Sequence, residues 1–343
     1  MTKSQNASGK RLTIYDLAEL AKASPTAVSS VLNGTWKKRR ISAALAERIT
    51  RIADENGYSL NMQASGLRRE TSRLIGMIVP KYDNRYFGSI VEKFESRARE
   101  RGLFPIVTCT QRDPELEVEA ARAMISHQVD CLIATGATDP DRITRLCAKA
   151  GVRSLNLDLP GKLAPSVISD NFEGAYSLTK RILVATASTG APSAPLLYVG
   201  GRYDHNTSER IRGFTEAHRE AGISVDDSLI LATGYAPEKA EAALHELAIK
   251  RGKLPNGMFV NSTIPLEGVM RWIKTSRHFG DHLPHIGCFD WDPMVSILNE
   301  NILMLRQDVP GMLDALFQLI DDKREAPRIL KVPTLFASWE IDP

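Results

Sequence analysis

The side chains best placed for chemistry follow short apolar runs that have the length of buried β-strands. Asp158 and Asp290 each come directly after such a run. Five further polar residues follow another run: Lys81, Tyr82, Asp83, Asn84 and Arg85. Ligands of open parallel sheets bind beyond the carboxyl ends of the strands, where carboxylates accept hydrogen bonds and cations hold anionic groups. The pattern predicts a ligand-binding cleft, and solvated loop charges are the alternative.

Catalytic and metal-binding signatures are absent from the sequence. It contains no phosphate-binding glycine loop after a strand, no Walker loop and no Gly-x-Ser-x-Gly motif, and His245-Glu246 lacks a second histidine. The cysteines are far apart and lack metal or redox spacing: Cys109, Cys131, Cys147 and Cys288. We therefore predict no enzymatic activity, no cofactor and no metal, and we interpret the thiols as buried groups in a reducing cytosol.

The elements that must position these residues alternate between strand and helix from residue 74 onward. Strands are predicted at 74–79, 105–108, 131–134, 154–157, 196–199, 229–232, 257–260, 285–289 and 303–305. Helices are predicted between most of them, at 86–101, 115–127, 172–184, 208–221, 237–250 and 266–277. Such alternation is typical of parallel sheets covered by helices on both faces. The fold class is α/β, with two doubly wound subdomains and a ligand cleft between them.

Three short helices are predicted before Gly57. The first begins after Thr13, the second at Ser24-Pro25 and the third near Ser42, because each of these is a preferred helix-capping residue. Only three or four residues separate the first two helices, which is the length of a helix-turn-helix corner. The N-terminal region is therefore predicted to be an all-α DNA-binding domain.

Charge is divided unevenly along a chain whose net charge is only +3. Residues 1–72 contain 12 Lys and Arg against 6 Asp and Glu, and the remaining 271 contain 32 against 35. A basic N-terminal segment followed by a mildly acidic remainder is typical of a nucleic-acid-binding domain joined to a regulatory domain. On charge alone, a solvated basic tail is the alternative. Residues 1–10 are polar, so neither a signal peptide nor a membrane span is predicted, and we expect a cytoplasmic protein.

Several motifs together resemble the lactose/galactose-repressor (LacI/GalR) family of transcription regulators. LTIYDLAELAKASPTAVSSVLN begins at residue 12, and GYSLNMQASGL begins at residue 57. IGMIVP, DCLIATG, SDNFEGAYSLTKRIL, SERIRGF and LRQDV follow in the order and spacing of the family. The resemblance covers nearly the whole chain. It implies a helix-turn-helix domain, a hinge helix and a core similar to periplasmic binding proteins.

The resemblance implies which residues of the first 42 contact DNA. Pro25, Thr26 and Ser30 lie where the family reads bases in the major groove, and they offer few hydrogen-bonding groups. Phosphate contacts are expected from Thr13, Ser24, Ser29, Asn33 and Ser42. For Ser24 and Ser42, helix capping is an equal alternative, and both roles can coexist.

A basic loop and a hinge helix extend the predicted DNA-binding surface. The loop GTWKKRR is three residues longer than the common family loop, and similar insertions occur in the fructose-repressor (catabolite repressor–activator) and sucrose-repressor branches. Lys37, Lys38, Arg39 and Arg40 are expected to contact phosphates, with a solvated loop as the alternative. The hinge residues implied by the family are Asn61, Ala64 and Leu67, with Leu67 wedged between base steps. An ordinary linker is the alternative there, and Leu60 replaces the usual proline.

The resemblance also assigns effector-binding residues in the cleft. Arg210 matches an arginine that clamps effector oxygens, and Asp158 and Asp290 match acids that accept sugar hydroxyls. The other expected residues are Lys81, Tyr82, Asp83, Asn84, Arg85, Ser262, Phe289, Trp291 and Gln307. Ser262 and Thr263 replace a common Asn-Asp pair, and Leu159 replaces a common arginine. Because Lys81 and Arg85 bring positive charge, we expect a phosphorylated or acidic sugar slightly more readily than a neutral one.

These inferences predict a cytoplasmic homodimeric repressor of carbohydrate genes, controlled by a sugar or sugar phosphate. Its partners are a pseudo-palindromic operator and the effector, and the missing C-terminal leucine heptad favours a dimer over a tetramer. The predicted domains are residues 1–60, a hinge at 61–72 and a core at 73–343. The core divides into subdomains at about 73–170 with 307–335 and 171–306 with 336–343. A DNA-free solute-binding protein for a sugar is the alternative function.

Overall fold

The computed structural model describes residues 12–58, 71–188, 194–276, 278–279, 283–298, 302–322 and 326–336. The chain divides into two compact units, Met1–Ser72 and Arg73–Pro343. The predicted hinge residues Asn61, Ala64 and Leu67 lie outside the described residues, so their role stays a prediction. Among the described residues, no helix combines the length and apolar composition that a bilayer span requires.

The first unit contains the three predicted helices: α1 (Ile14–Leu20), α2 (Pro25–Leu32) and α3 (Ala43–Glu55). The N-caps are Thr13, Ser24 and Ser42, as the sequence predicts, and α3 ends two residues before Gly57. The apolar faces of the helices meet in one small core, in which Leu17, Val28 and Ile49 are completely buried. The helix-turn-helix prediction is confirmed.

The first subdomain of the second unit is built on a six-stranded parallel sheet in the order β11-β5-β4-β3-β1-β2. Its strands are β1 (Leu74–Val79), β2 (Phe104–Cys109), β3 (Cys131–Thr135), β4 (Arg153–Leu157), β5 (Ser166–Ser169) and β11 (Ile329–Val332). Its helices are α4 (Arg85–Glu100), α5 (Pro114–Ser126), α6 (Pro140–Lys149) and α12 (Val309–Asp321). Helices α4 and α12 cover one face of the sheet, and α5 and α6 cover the other.

The second subdomain repeats this plan with the order β12-β10-β9-β8-β6-β7, in which only β12 is antiparallel to its neighbour. Its strands are β6 (Leu197–Val199), β7 (Ile230–Leu231), β8 (Gly257–Val260), β9 (His285–Phe289), β10 (Ile302–Gln307) and β12 (Thr334–Phe336). Its helices are α7 (Asn171–Ala187), α8 (His205–Glu220), α9 (Pro237–Arg251), α10 (Thr263–Ser276) and α11 (Pro293–Leu298). The α/β fold class with two sheets is confirmed.

The chain passes between the two sheets at three places. It crosses after β5 into α7, after β10 into α12, and between β11 and β12. These crossings lie within a few residues of the predicted subdomain boundaries at 170 and 307, while β12 begins at Thr334, just before the predicted boundary at 336. All three crossings follow strands, so strand-end residues of both sheets surround the junction.

Some elements of the core are not predicted by the sequence. Strands β5, β11 and β12 have only three or four residues each and no long apolar run, so their pairing depends on the sheet that receives them. Helices α6, α11 and α12 are also missing from the prediction. Predicted strand 229–232 shortens to Ile230–Leu231, because the preceding residues Asp227–Leu229 form a 3-10 turn.

Helix α8, which carries Arg210, the first arginine of the SERIRGF motif, packs closely against α7. A Cβ added at Gly213 would lie 2.3 Å from the carbonyl oxygen of Phe172, so only glycine allows the two helices to approach so closely. Arg210 lies one turn before Gly213 on α8 and is 3% exposed. The glycine therefore holds the arginine inside the subdomain junction.

Candidate functional site

The recognition helix α2 presents little hydrogen-bonding capacity to solvent. Thr26 is exposed and Pro25 is half-buried at the first helical position. Ser30 is 7% exposed, and its hydroxyl donates a 2.8 Å hydrogen bond to the Thr26 carbonyl oxygen. Of the three residues predicted to read bases, the structure therefore exposes Thr26 and turns Ser30 toward its own helix.

The hydroxyls predicted to contact phosphates are engaged in local hydrogen bonds. Oγ of Ser24 and of Ser42 accepts the backbone N–H of the residue three positions on, at 3.2 and 3.3 Å. Thr13 forms a reciprocal capping box with Asp16. The Asn33 side chain donates to the Ser29 carbonyl oxygen at 2.7 Å. Helix capping is thus present, and a phosphate contact by the same residues stays a prediction.

A cavity lies between the two subdomains of the second unit. The first subdomain contributes Asn84, Tyr86, Phe87, Arg112, Asp158 and Leu159. The second contributes Asp204, Asn206, Arg210, Tyr235, Ser262, Ile264, Asp290 and Gln307. Small-molecule sites have this mixture of apolar and convergent polar groups. The cavity is therefore the candidate effector site.

Arg210 is the most firmly held side chain of the cavity. Its Nε donates to Asn171 Oδ1 at 2.8 Å, and its Nη1 donates to the Asn261 carbonyl oxygen at 2.6 Å. The guanidinium lies 3.6 Å above the centre of the Phe289 ring. These two hydrogen bonds use two of the five N–H groups of an arginine. The arrangement pre-orients the remaining donors for oxygen atoms of a ligand.

Two buried carboxylates face the same cavity from opposite subdomains. Asp158 Oδ1 accepts the Tyr86 hydroxyl at 3.0 Å, and its backbone oxygen accepts the Asn206 amide at 3.1 Å. Asp290 Oδ1 accepts the Gln307 amide at 2.6 Å. Both residues adopt positive φ angles, 72° and 147°, which is strained backbone of the kind that functional sites retain. The cavity is therefore rich in hydrogen-bond acceptors.

Burial changes the protonation of these carboxylates. It raises the pKa of Asp290 to about 6, against the opposing effects of the Arg210 cation and the Gln307 hydrogen bond. Burial also raises the pKa of Asp158, while Arg210 and Arg112 lower it. A second sign of an incomplete site is Ser262, which is 3% exposed and whose Oγ lacks a hydrogen-bond partner within the described part of the chain. A buried hydroxyl without a partner is costly unless a ligand or water meets it.

The structure brings half of the predicted effector residues to the cavity. Those that line it are Asn84, Asp158, Arg210, Ser262, Asp290 and Gln307. The other six do not line it: Lys81, Tyr82, Asp83, Arg85, Phe289 and Trp291. The loop at residues 81–83 is exposed, and Phe289 is completely buried beneath Arg210. Roles as effector ligands stay predictions for the six that line the cavity.

Arg85 and Lys81, whose charges favoured a phosphorylated effector, do not line the cavity. Arg85 Nε pairs with Asp292 Oδ2 at 3.2 Å, and this ion pair joins the first subdomain to the second. Lys81 is exposed on the loop after β1. Neutralisation of a phosphate by these two cations stays a prediction, and the lining of the cavity does not support it.

Several cavity residues are missing from the sequence prediction. Arg112 lies on the loop after β2, where it and Gln111 both have positive φ, and its guanidinium lies 4.7 Å from the Tyr235 ring centre. Tyr235 follows β7 in the second subdomain, and Asp204 and Asn206 precede or begin α8. Like Asp158, Arg112 and Tyr235 lie beyond strand ends, and a polar residue in that position is the sequence signal for such a site.

Comparisons with known proteins settle the family. Residues 13–61 match the family "Bacterial regulatory proteins, lacI family", and residues 75–298 match the "Periplasmic binding protein domain" family. The chain is 64% identical to the ribitol operon repressor of Klebsiella aerogenes over 193 residues, which cover 56% of this chain and 72% of that protein. The chain belongs to the LacI family. The resemblance predicted from its motifs is confirmed, and this LacI-family protein is a DNA-binding transcription regulator.

Other relatives and solved structures extend over nearly the whole regulator. The sucrose operon repressor of Klebsiella pneumoniae is 29% identical over 324 residues, covering 93% of this chain and 95% of that one. The Lac repressor dimer bound to operator and the anti-inducer ONPF has a TM-score of 0.77 at 22% identity, covering 96% and 98% of the two chains. A CelR–cellobiose complex has a TM-score of 0.66 at 21% identity, with coverage of 96% and 99%. These structures share the fold of the LacI-family protein.

The raised pKa of Asp290 predicts a pH dependence of the regulator's stability. Between the unfolded value of 3.8 and the folded value of about 6, the native state binds more protons, so the free energy of unfolding falls as pH rises from about 4 to 6. A difference of about two units corresponds to at most about 3 kcal/mol. Asp290→Asn should flatten this pH dependence while keeping an oxygen for Gln307 to bind.

Urea unfolding between pH 4 and pH 7 measures the effect, with Glu246→Gln as the control. Glu246 is an exposed carboxylate on α9, so Glu246→Gln replaces one carboxylate by an amide away from the cavity. Equal profiles for the native chain and Asp290→Asn would show that Asp290 titrates as an ordinary aspartate.

Proposed function

We propose that the chain is a cytoplasmic, homodimeric repressor of an operon for the breakdown of a pentitol or sugar, and that its effector is an uncharged polyhydroxyl compound. The observation that carries this proposal is the charge of the cavity. Asp158, Asp204 and Asp290 line it together with the cations Arg112 and Arg210, and Asp204 is already paired with Arg202 at 3.0 Å. A phosphate would add negative charge to a site whose two lining cations already face Asp158 and Asp290, which is unfavourable. Hydroxyl groups, by contrast, donate to carboxylates and accept from guanidinium groups.

The name of one relative supports a small carbohydrate. The 64% identical relative is named for the ribitol operon, and ribitol is a five-carbon polyol. A structural neighbour that is 21% identical holds cellobiose, and it supports the fold alone. Another neighbour, the Cra regulator of Pseudomonas putida, is in complex with fructose 1-phosphate. That neighbour is 21% identical to this chain, so it supports the fold alone. The class of the effector must be inferred from the residues that line the cavity. We therefore favour a compound of the ribitol class over a sugar phosphate.

Contacts between the two subdomains around the cavity can couple effector binding to the affinity for DNA. Arg85 pairs with Asp292, Arg112 stacks on Tyr235, and the Asn206 amide donates to the Asp158 backbone oxygen. Each contact joins one subdomain to the other, so an effector that binds between them favours one relative arrangement. Coupling of this kind is worth about 1–3 kcal/mol and acts equally on DNA and effector affinity. A catalytic role is not proposed, since the relatives are repressors and no catalytic motif is present in the sequence.

A ligand panel tests the proposal on the purified full-length chain. Thermal unfolding is measured with ribitol, other pentitols, pentoses and pentuloses, and with fructose 1-phosphate, and hits are titrated by calorimetry. An effector at 100 times its Kd should stabilise the chain by about 2.7 kcal/mol. We expect a neutral compound to bind and to change the affinity for operator DNA. Tight binding of the phosphate, with none of the neutral compounds, would contradict the proposal for the effector.

A separate arm tests the alternative of a DNA-free solute-binding protein. Such a protein would bind the same neutral ligand without binding duplex DNA. We expect sequence-specific DNA binding that weakens as salt concentration rises, because phosphate contacts release counterions. Ligand binding without any DNA binding would favour the solute-binding protein.

A further inference from the structure

The loop that joins α2 to α3 is a folded turn. Its backbone is closed by hydrogen bonds from Thr35 N to Ser30 O at 2.9 Å and from Ile41 N to Trp36 O at 3.1 Å. The Thr35 hydroxyl donates to the same Ser30 oxygen at 3.2 Å. Positive φ angles of 68° at Gly34 and 54° at Arg40 begin and end the turn. The extra residues of this loop therefore have one defined conformation.

Trp36 fastens this loop to the helical unit. Its side chain is half-buried, packs against the core of the three helices, and forms one wall of a shallow groove on α3 with Ala43 and Ala46. The Lys37 ammonium lies 5.4 Å from the centre of its ring. An aromatic side chain buries a large apolar area, so this contact holds the neighbouring cations in place.

Four consecutive cationic residues follow Trp36 in the loop. Lys37, Lys38, Arg39 and Arg40 are all exposed. Within residues 12–58, as far as the structure describes them, none of the four forms an ion pair, whereas Arg51 on α3 pairs with Glu55. Fixed and unneutralised charge of one sign attracts counterions, and a polyanion replaces them with a gain in entropy. The cluster is therefore suited to an anionic surface.

The position of the loop indicates which anionic surface it meets. Helix α2 has eight residues, so it is about 12 Å long, which is about the width of the major groove. A recognition helix points its N-terminal residues at the bases, so the chain that leaves its C-terminal end lies toward the rim of the groove. The rim is formed by the phosphate backbone. Ser30 is turned inward, so the helix itself offers few base contacts. Phosphate contacts supply much of the affinity of a DNA-binding protein.

We propose that residues 36–40 form a second DNA-contacting surface, which binds the phosphates flanking each half-site and is positioned by Trp36. This proposal rests on the operator binding of the proposed function and adds a separate site to it. Lys37 to Arg40 supply the charge. Trp36 touches no DNA in this scheme, and acts as a positioning residue by fixing where those charges lie.

The test compares two pairs of alanine substitutions in the full-length chain. Lys38→Ala with Arg39→Ala removes two cations from the loop, and Arg48→Ala with Arg51→Ala removes two exposed cations from α3. Binding is measured by fluorescence anisotropy as a function of salt, on a duplex that the native chain selects from random sequence. Each lost phosphate contact lowers the slope of log K against log salt by about 0.9. With two loops per dimer, we expect the loop pair to flatten the slope by about 2–4 and the α3 pair by less than about 1.

Trp36 is tested by a substitution that changes no charge. Trp36→Ala should flatten the slope in the same direction as the loop pair, while Trp36→Phe should preserve it. Thermal unfolding is recorded for each variant, so that unfolded protein is recognised. Hydroxyl-radical footprinting should lose protection of the flanking sugars in both the loop pair and Trp36→Ala.

The possible results distinguish a failure of the loop proposal from a failure of the proposed function. Equal slopes for the loop pair and the α3 pair, with unchanged footprints, would overturn the loop proposal while operator binding stands. If Trp36→Ala and Trp36→Phe both leave the slope at its native value, Trp36 has no positioning role. If the native chain shows no sequence-specific, salt-dependent binding, the proposed function fails, and the loop proposal fails with it.

Discussion

Deletion of residues 1–72 is expected to abolish binding to duplex DNA and to leave effector binding at full affinity. The chain divides at this point into two compact units, and each has its own hydrophobic core. Residues 1–72 also carry the excess of basic side chains. Since non-specific DNA affinity depends on cations, the loss should reach at least a hundredfold at moderate salt.

Calorimetry with the effector and electrophoretic mobility with the duplex measure the two halves of this prediction. The full-length chain is the reference, and circular dichroism of the truncated chain checks that its sheets remain folded. Retention of DNA binding by residues 73–343 would refute the assignment of the DNA-binding unit. Loss of effector binding in a folded core would show that the first unit contributes to the cavity.

Substitution of Arg210 is expected to uncouple DNA affinity from the effector. Arg210→Ala removes a buried cation that hydrogen-bonds Asn171 and the Asn261 carbonyl oxygen and lies over the Phe289 ring. A hydrogen bond to a charged group is worth about 1.5–3 kcal/mol, so effector affinity should fall at least tenfold. Operator binding without effector should persist.

Two companion variants make the result interpretable. Arg210→Lys keeps the charge but loses the planar fork, so we expect it to bind effector more weakly than the native chain although it folds. Arg212→Ala is the matched control, because Arg212 lies on the same helix, is 58% exposed and pairs with Glu209. Calorimetry on all three decides the matter: native effector affinity in Arg210→Lys and Arg210→Ala would remove this residue from the site.

Local patterns predicted those helices and strands whose own residues indicate their structure without help from tertiary contacts. The N-caps Thr13, Ser24 and Ser42 begin helices because a side-chain oxygen meets an unpaired backbone N–H within the same turn. Strands β1, β8 and β9 have the predicted bounds because each is a continuous apolar run that is buried on both faces. Strands β5, β11 and β12 lack a continuous apolar run. Their short polar or mixed sequences form strands only because they pair with a neighbouring strand of the folded sheet.

The cavity was predicted less completely than the fold. Asp158, Arg210, Asp290 and Gln307 were found because they belong to motifs or follow long strands. Arg112 was not predicted, because its position in the cavity depends on positive φ angles at Gln111 and Arg112. It also depends on contact with the Tyr235 ring of the other subdomain. Arg85 lies outside the lining of the cavity, and its ion pair with Asp292 joins positions 207 residues apart, which the sequence does not indicate.

The sequence by itself determined the family, the helix-turn-helix, the alternation of strands and helices, and the division of charge at residue 72. These properties depend on side-chain order over a few turns or on composition, and both can be read along the chain. Only the tertiary structure decided which charges share a cavity and which are neutralised elsewhere. Electrostatic interaction depends on distance in space, and the residues of the cavity come from both sheets.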